Sequence, residues 1–206
     1  MDFFDINNIA FEVLGYPLSY IELAGTLFGF ISVVLAAKPS VLTWPTGIVN
    51  EAAFFILFYQ VQLYSDMYLQ VFFFGVTVYG WYYWRKQDNE ASVKKLTNRW
   101  RLIYLTVLMA GTVLSGLLMT QIHLLFPLVF SKPASYPFAD AFTTTASILA
   151  TILLSRKRIE TWVLWILVDM VSVTLYILKG IHLVAIEYVV FLIICMIGYF
   201  NWRSKL

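Results

Sequence analysis

Trp162, Trp165, Asp169, Ser172 and Tyr176 follow one another at intervals of three, four, three and four residues, a spacing that sets all five on one face of an α-helix. A carboxylate flanked by indole and phenol rings suits a cationic or aromatic ligand, through charge and cation–π attraction. Other apolar segments add polar groups at depth. Thr46, Asn50 and Glu51 stand at the corresponding level of an earlier segment, Gln70, Phe73, Thr77, Gly80 and Trp84 make a stripe on the next, and Glu187 and Tyr188 lie near the outer end of the last. Asn50, Gln70 and Ser172 can hydrogen-bond a ligand's hydroxyls or amide. A tryptophan stripe alone marks helix packing more often than a site. One that also carries Asp169 and Ser172, matched by Asn50 and Glu51, favours a ligand cavity, with Thr46, Glu51, Thr77, Trp81 and Trp162 as a second tier. No Lys or Arg lies at mid-segment, so a phosphate-bearing cargo would lack its usual charge partners.

The elements that must carry these residues are membrane helices. Of 206 residues 61% are hydrophobic and only 13% charged, against about 25% charged in soluble domains. Stretches of roughly 20 apolar residues cross the hydrocarbon of a bilayer as helices. They are expected near 21–37, 44–63, 66–85, 102–122, 138–154, 161–178 and 183–202. An ionisable group in such a span costs about 2.5–3.5 kcal/mol at its centre, so it faces a cavity or a partner. The chain is therefore read as an all-α integral membrane protein of seven transmembrane helices whose main partner is the lipid bilayer. Residues 1–20 form an N-terminal interfacial segment, with no basic n-region of a secretory signal and no processing expected. Pro127, Pro133 and Pro137 mark the loop before the fifth span, and the second and third spans meet in a tight hairpin around Tyr64, Ser65 and Asp66.

Most Lys and Arg fall on one side of this seven-span arrangement: Lys38, the cluster from Arg85 to Arg101, the run Arg156, Lys157 and Arg158, and Arg203 with Lys205. Only Lys132 and Lys179 fall on the other, which puts the N-terminus outside and the C-terminus in the cytoplasm. Trp81, Tyr82, Tyr83, Trp84, Trp100, Tyr199 and Trp202 then fit an interfacial aromatic belt at the inner face. The net charge of +2 is small and the basic residues form no aromatic-interleaved patch, so nucleic acid is excluded as a partner. One cysteine, Cys195, permits no intrachain disulfide and no multi-cysteine metal site; it reads as buried packing, and neither a metal nor a cofactor is expected.

The chain also matches itself. Without gaps, residues 22–85 align with 140–203: Glu22 meets Asp140, Lys38 meets Arg156, Thr43-Trp44 meets Thr161-Trp162, Glu51 meets Asp169, and Gly80, Trp84 and Arg85 meet Gly198, Trp202 and Arg203. Two three-helix units joined by a fourth span have the same orientation, a 3+1+3 arrangement of parallel repeats that places a shared site near the midplane. The parts are 21–85, a first bundle; 86–136, holding the loop, the linker helix at about 102–122 and the outer loop; and 137–203, a second bundle. Glu22 and Asp140 sit at span ends, where a carboxylate is unremarkable, and join the second tier. Gly25, Gly29 and Ser32, like Thr143, Thr144 and Ser147, read as small residues at close helix contacts.

These residues resemble the PnuC family of nicotinamide riboside transporters. The likeness covers nearly the whole chain and rests on Ile21-Glu22 with Gly25-Thr26, Gly47-Ile48-Val49-Asn50, the run Phe58 to Tyr64, Leu69-Gln70-Val71-Phe72-Phe73-Phe74, Tyr79-Gly80-Trp81-Tyr82, Pro137-Phe138 with Asp140, Trp162-Val163-Leu164-Trp165 with Asp169 and Ser172-Val173, and Glu187-Tyr188. The family is similar in fold to SWEET sugar transporters, three helices, a linker and three helices. The resemblance implies uptake of nicotinamide riboside, a pyridinium nucleoside without phosphate, by facilitated diffusion, with a cytoplasmic kinase trapping the product. It implies substrate contacts from Asn50, Gln70, Trp165, Asp169, Ser172, Glu187 and Tyr188, the tryptophan stacking on the pyridinium. It also implies a bacterial inner-membrane home and a homo-oligomer such as a trimer.

No Walker-type glycine loop is present, so ATP does not drive the chain directly. Alternating access by rocking of the two units is expected, eased near Pro45-Thr46-Gly47 and Gly180. An intramembrane enzyme using Asp169 and Glu51 as acid and base is the weaker alternative, since His123 and His182 lie near span ends and no Gly-x-Ser-x-Gly or His-Glu-x-x-His motif occurs. Another nucleoside or vitamin as cargo is the nearer one.

Overall fold

The computed structural model describes residues 3–13, 15–61, 64–86, 93–126 and 133–206. Pro127 and Lys132, residues 62–63 and residues 87–92 lie outside the described residues. Among the described residues there are a short hairpin, β1 (Ile9–Val13) and β2 (Tyr16–Ser19), and seven helices: α1 (Tyr20–Ala37), α2 (Thr43–Gln60), α3 (Tyr64–Lys86), α4 (Asn98–Leu125), α5 (Pro137–Ser155), α6 (Glu160–Leu178) and α7 (His182–Arg203). Each falls where an apolar stretch is expected, with α4 starting four residues earlier and ending three later than its stretch. Five of them, α1, α4, α5, α6 and α7, are long and apolar enough to cross a membrane. α2 and α3 fall outside that set, and α2 carries Asn50 and Glu51 in its middle.

The hairpin is the feature that hydropathy does not announce. Phe11 pairs with Leu18 and Val13 with Tyr16 in antiparallel register, and Gly15 takes a positive φ of 81° in the connection, a conformation that costs glycine nothing. The Ser19 side chain then caps α1, accepting from the Glu22 backbone N–H at 3.3 Å, and the Glu22 carboxylate in that first turn accepts from the Tyr16 hydroxyl at 2.9 Å. The serine thereby satisfies one of the helix N–H groups that have no partner of their own. Gln60, at the end of α2, donates to the carbonyl of Phe4 and accepts from the N–H of Ile6, tying down the chain ahead of the hairpin.

The described chain packs as two compact units, one of Met1–Val93, Ser155–Lys157 and Ile197–Leu206, the other of Lys94–Leu154 and Arg158–Met196. In the first, α1 and α2 approach closely through Gly25, which faces Phe54 and Ala53, and Gly29, which faces the Asn50 amide. Ser32 and Thr43 clasp the same pair of helices: the Ser32 hydroxyl donates to the Thr43 carbonyl and the Thr43 hydroxyl to the Ser32 carbonyl, each at 2.8 Å. α3 joins through Gly80, where the Trp44 indole occupies the space a side chain would need.

Trp84 and Trp202 are not belt residues. They are 4% and 0% exposed, and each indole N–H donates to the carbonyl end of a helix: Trp84 to Ser155 at 3.0 Å and Trp202 to Ala36 at 2.9 Å. The two rings lie 6.1 Å apart, Trp44 meets Trp84 edge-on at 5.1 Å, and the Lys157 ammonium sits 4.8 Å from the Trp84 centroid. A helix's last carbonyls lack intrahelical donors, which is what these indoles supply; Trp100 and Tyr82, at 52% and 64% exposed, remain available to an interface. Removing the donor while keeping an aromatic ring isolates its worth. Trp202→Phe is expected to lower stability by about 1–3 kcal/mol, the range for stranding a buried polar partner, read as a lower thermal midpoint of the detergent-solubilised chain; an unchanged midpoint would contradict this role.

The second unit is built around Leu108, Ala146, Leu149 and Val168, with Tyr104, Phe142, Leu164 and Trp165 packed against them. Gly111 and Gly116 let α4 approach α5 at Thr145 and Phe138. The segment before α4 is held to the start of α6 by Glu160, which accepts from the Leu96 N–H and from Arg101 at 2.9 Å. α6 ends at Gly180, with φ of 75°, and the Ile181 N–H returns to the Tyr176 carbonyl. That is the left-handed glycine stop, so Gly180 terminates a helix here.

Candidate functional site

α6 presents the candidate face. Trp162, Asp169 and Ser172 are 1%, 2% and 3% exposed, and Trp165 and Tyr176 are half-buried. Their common orientation follows from helical spacing, as the sequence indicates. Trp165 is not held by its face alone: α4 and α5 brace it through the cluster of Leu108, Ala146 and Leu149. α7 supplies the opposing groups. Tyr188 lies nearly parallel to Tyr176, with centroids 5.4 Å apart and 14° between the planes. Glu187 is half-buried beside it.

Asp169 is the centre of this group. Its carboxyl oxygen Oδ2 is buried without a hydrogen-bond partner. Most buried polar atoms are paired, and an orphan of this kind inside an apolar helix bundle is costly unless something else meets it. Nearer the end of the helix, Lys179 pairs with Asp140 at 3.2 Å and stands over the Tyr136 and Tyr176 rings at 5.9 and 5.8 Å. Asp140 is thus occupied by a cation of the chain itself.

The first unit holds the remaining candidates. Glu51 is 7% exposed; its Oε1 accepts from the Thr77 hydroxyl at 2.5 Å, and its Oε2 is buried without a partner. Asn50 spends its amide nitrogen on the Gly25 carbonyl at 2.8 Å, which bridges α2 to α1 and leaves the amide oxygen as the group it can offer. Thr46 turns back on its own helix, donating to the Leu42 and Thr43 carbonyls. Gln70 and Trp81 are half-buried on α3, and Glu22 belongs to the hairpin and the α1 cap. Among the described residues no three His, Cys, Asp or Glu side chains gather to hold a metal.

Cys195 is buried, at 3% exposed, as a lone cysteine in an apolar helix indicates. The self-alignment of 22–85 on 140–203 pairs it with Thr77 as it pairs Asp169 with Glu51.

The profile of the family described as "Nicotinamide mononucleotide transporter" matches residues 19–204. The nicotinamide riboside transporter PnuC of Escherichia coli is 32% identical, with 100% of this chain and 95% of that protein aligned. The riboflavin/roseoflavin transporter RibM of Streptomyces davaonensis is 26% identical, over 97% and 93% of the two chains. The crystal structure of the vitamin B3 transporter PnuC has the same fold, with a TM-score of 0.67 over 90% of this chain and 81% of that one, at 23% identity.

Proposed function

Because the chain belongs to the nicotinamide mononucleotide transporter family, and is a multi-pass membrane transporter and not an enzyme, we propose that it carries nicotinamide riboside across a bacterial inner membrane by facilitated diffusion. The observation that carries the reading is the unpartnered Oδ2 of Asp169, buried on a face that also bears Trp165, Ser172 and, from α7, Tyr188. A pyridinium cation meets that oxygen with the charge it lacks, and the indole with a π face. Ser172, Tyr188 and Glu187 then take the ribose and amide. Phosphate finds no cationic side chain within the middle of any helix.

The mechanism we propose is alternating access in a 3+1+3 helix arrangement, with the N-terminus outside, the C-terminus in the cytoplasm and phosphorylation there trapping the cargo; the working form is a homo-oligomer such as a trimer. Support for the duplicated plan comes from contacts made twice at aligned positions. The Thr43 hydroxyl donates to the Ser32 carbonyl and the Thr161 hydroxyl to the Ala150 carbonyl, both at 2.8 Å. The Ser40 N–H returns to Leu35 and the Arg158 N–H to Leu153. Trp84 and Trp202, aligned with each other, each cap a helix end, at acceptors one position apart in the alignment, Ser155 and Ala36.

Calorimetric titration of the purified chain with nicotinamide riboside, its mononucleotide, nicotinamide, riboflavin and thiamine tests the substrate. The riboside is expected to bind about tenfold or more tightly than the mononucleotide, because a phosphate would be desolvated without a charge partner. Riboflavin is the second reading, since RibM is similar over nearly the full length; a buried acid favours a cation over that neutral ring. Riboflavin or the mononucleotide binding more tightly than the riboside would refute the proposal.

A further inference from the structure

The end of α6 holds an ammonium in a cage. Lys179 Nζ lies 3.2 and 3.4 Å from the two carboxyl oxygens of Asp140, and 5.9 and 5.8 Å from the ring centroids of Tyr136 and Tyr176. A carboxylate beside two phenol rings is a set that recognises an organic cation, by its charge and by the negative faces of the rings. The cage is exposed where the helix ends: the Asp140 side chain is 45% exposed and that of Lys179 28%. An ion pair so exposed holds weakly against salt and competing ions. On its inner side the cage shares Tyr176 with the candidate face, since Tyr176 stacks on Tyr188 and stands about two turns of α6 beyond Asp169. The duplicated plan does not require this pair. In the alignment of 22–85 on 140–203, Glu22 stands where Asp140 does, but Phe58 and Val61 stand where Tyr176 and Lys179 do. Glu22 accepts from the Tyr16 hydroxyl in place of an ammonium.

We propose that Asp140, Tyr136 and Tyr176 form an entry site for organic cations, separate from the face around Asp169, in which the Lys179 ammonium stands in for the cargo until the cargo displaces it. As a step in riboside transport this rests on the reading and the orientation given above, in which the end of α6 faces the outside, where the cargo arrives. Lys179 is then a specificity-determining residue. A pyridinium that displaces it takes over both the carboxylate and the ring faces, whereas a neutral ring offers the carboxylate no charge in exchange. The flexible four-carbon stem of lysine lets its strongly hydrated ammonium swing out into water. Its place at the C-cap of α6 brings it back once the cargo has moved on, because the negative end of the helix attracts a cation.

The test is uptake into liposomes of two probes, nicotinamide riboside and its dihydropyridine form, which has the same shape class without the charge. Lys179→Gln empties the cage. It is expected to raise kcat/KM for the riboside about two- to fivefold, the size of one cation–π contact at an exposed site, and to change it less than about 1.5-fold for the neutral form. Lys179→Arg keeps a cation in the cage and should stay within about 1.5-fold of the parent. Adding Asp140→Asn to Lys179→Gln should abolish the gain. A gain that survives Asp140→Asn would show that Lys179 acts by repulsion alone and would overturn the proposal, as would an equal gain for both probes, or none. Tetramethylammonium reads the cage without the riboside. In saturation-transfer NMR its methyl protons should take up signal from the detergent-solubilised Lys179→Gln chain and lose it in the double variant. If the parent takes up neither riboside probe, the riboside reading fails, and tetramethylammonium decides the cage by itself: a signal gained with Lys179→Gln and lost with Asp140→Asn upholds the cation site, and no gain overturns it.

Discussion

Asp169→Ala is expected to weaken nicotinamide riboside binding by about thirtyfold, the equivalent of about 2 kcal/mol for one charge-assisted contact in a buried setting. The loss should be selective. The dihydropyridine riboside, without the positive charge, should lose no more than about threefold, because it gains little from the carboxylate beyond a hydrogen bond. Asp169→Asn keeps an acceptor and loses the charge, so it should fall between parent and alanine for the cation. Calorimetry with both ligands reads all of this directly, and an alanine variant that binds the cation as the parent does would remove Asp169 from the site. The carboxyl is 2% exposed with one oxygen unpaired, so its removal also relieves a buried orphan. The variant is therefore expected to be no less stable than the parent to heat, which separates lost binding from lost folding.

Trp165→Ala should cost about tenfold or more in riboside affinity, as expected for losing a desolvated indole face against a cation. Here stability and binding are entangled, because Trp165 packs on Leu108, Ala146, Leu149 and Val168. Truncating a packed indole opens a cavity worth about 3–5 kcal/mol. Trp165→Phe is the discriminating partner: it retains much of the packing and a weaker π face, and should lose about threefold in affinity. If both variants fold and bind as the parent does, Trp165 serves packing alone.

Much of this was legible because apolar length is a one-dimensional signal. All seven helices stand where stretches of about 20 apolar residues predict them, and the 3,4,3,4 spacing from Trp162 to Tyr176 put Asp169 and Ser172 on one buried face. Other assignments needed three dimensions. Trp84 and Trp202 sit in sequence like belt residues, among aromatics at a helix end next to arginine; only their indole N–H bonds to Ser155 and Ala36 show them capping helix termini from within. Asn50 has the composition of a ligand contact, yet its amide nitrogen is committed to Gly25, because glycine lets the two helices come close enough for a side chain to reach a neighbouring backbone. The hairpin at Ile9–Ser19 escaped the hydropathy windows since its strands are four and five residues long.

Uptake of labelled nicotinamide riboside into liposomes holding only this chain tests the central claim most directly. With no ATP and no ion gradient, uptake should saturate with concentration, stop when the inner and outer concentrations are equal, and be accelerated by unlabelled riboside preloaded inside. Entry no faster than into empty liposomes, or entry only when a sodium or proton gradient is imposed, would contradict facilitated passage of the riboside by this chain.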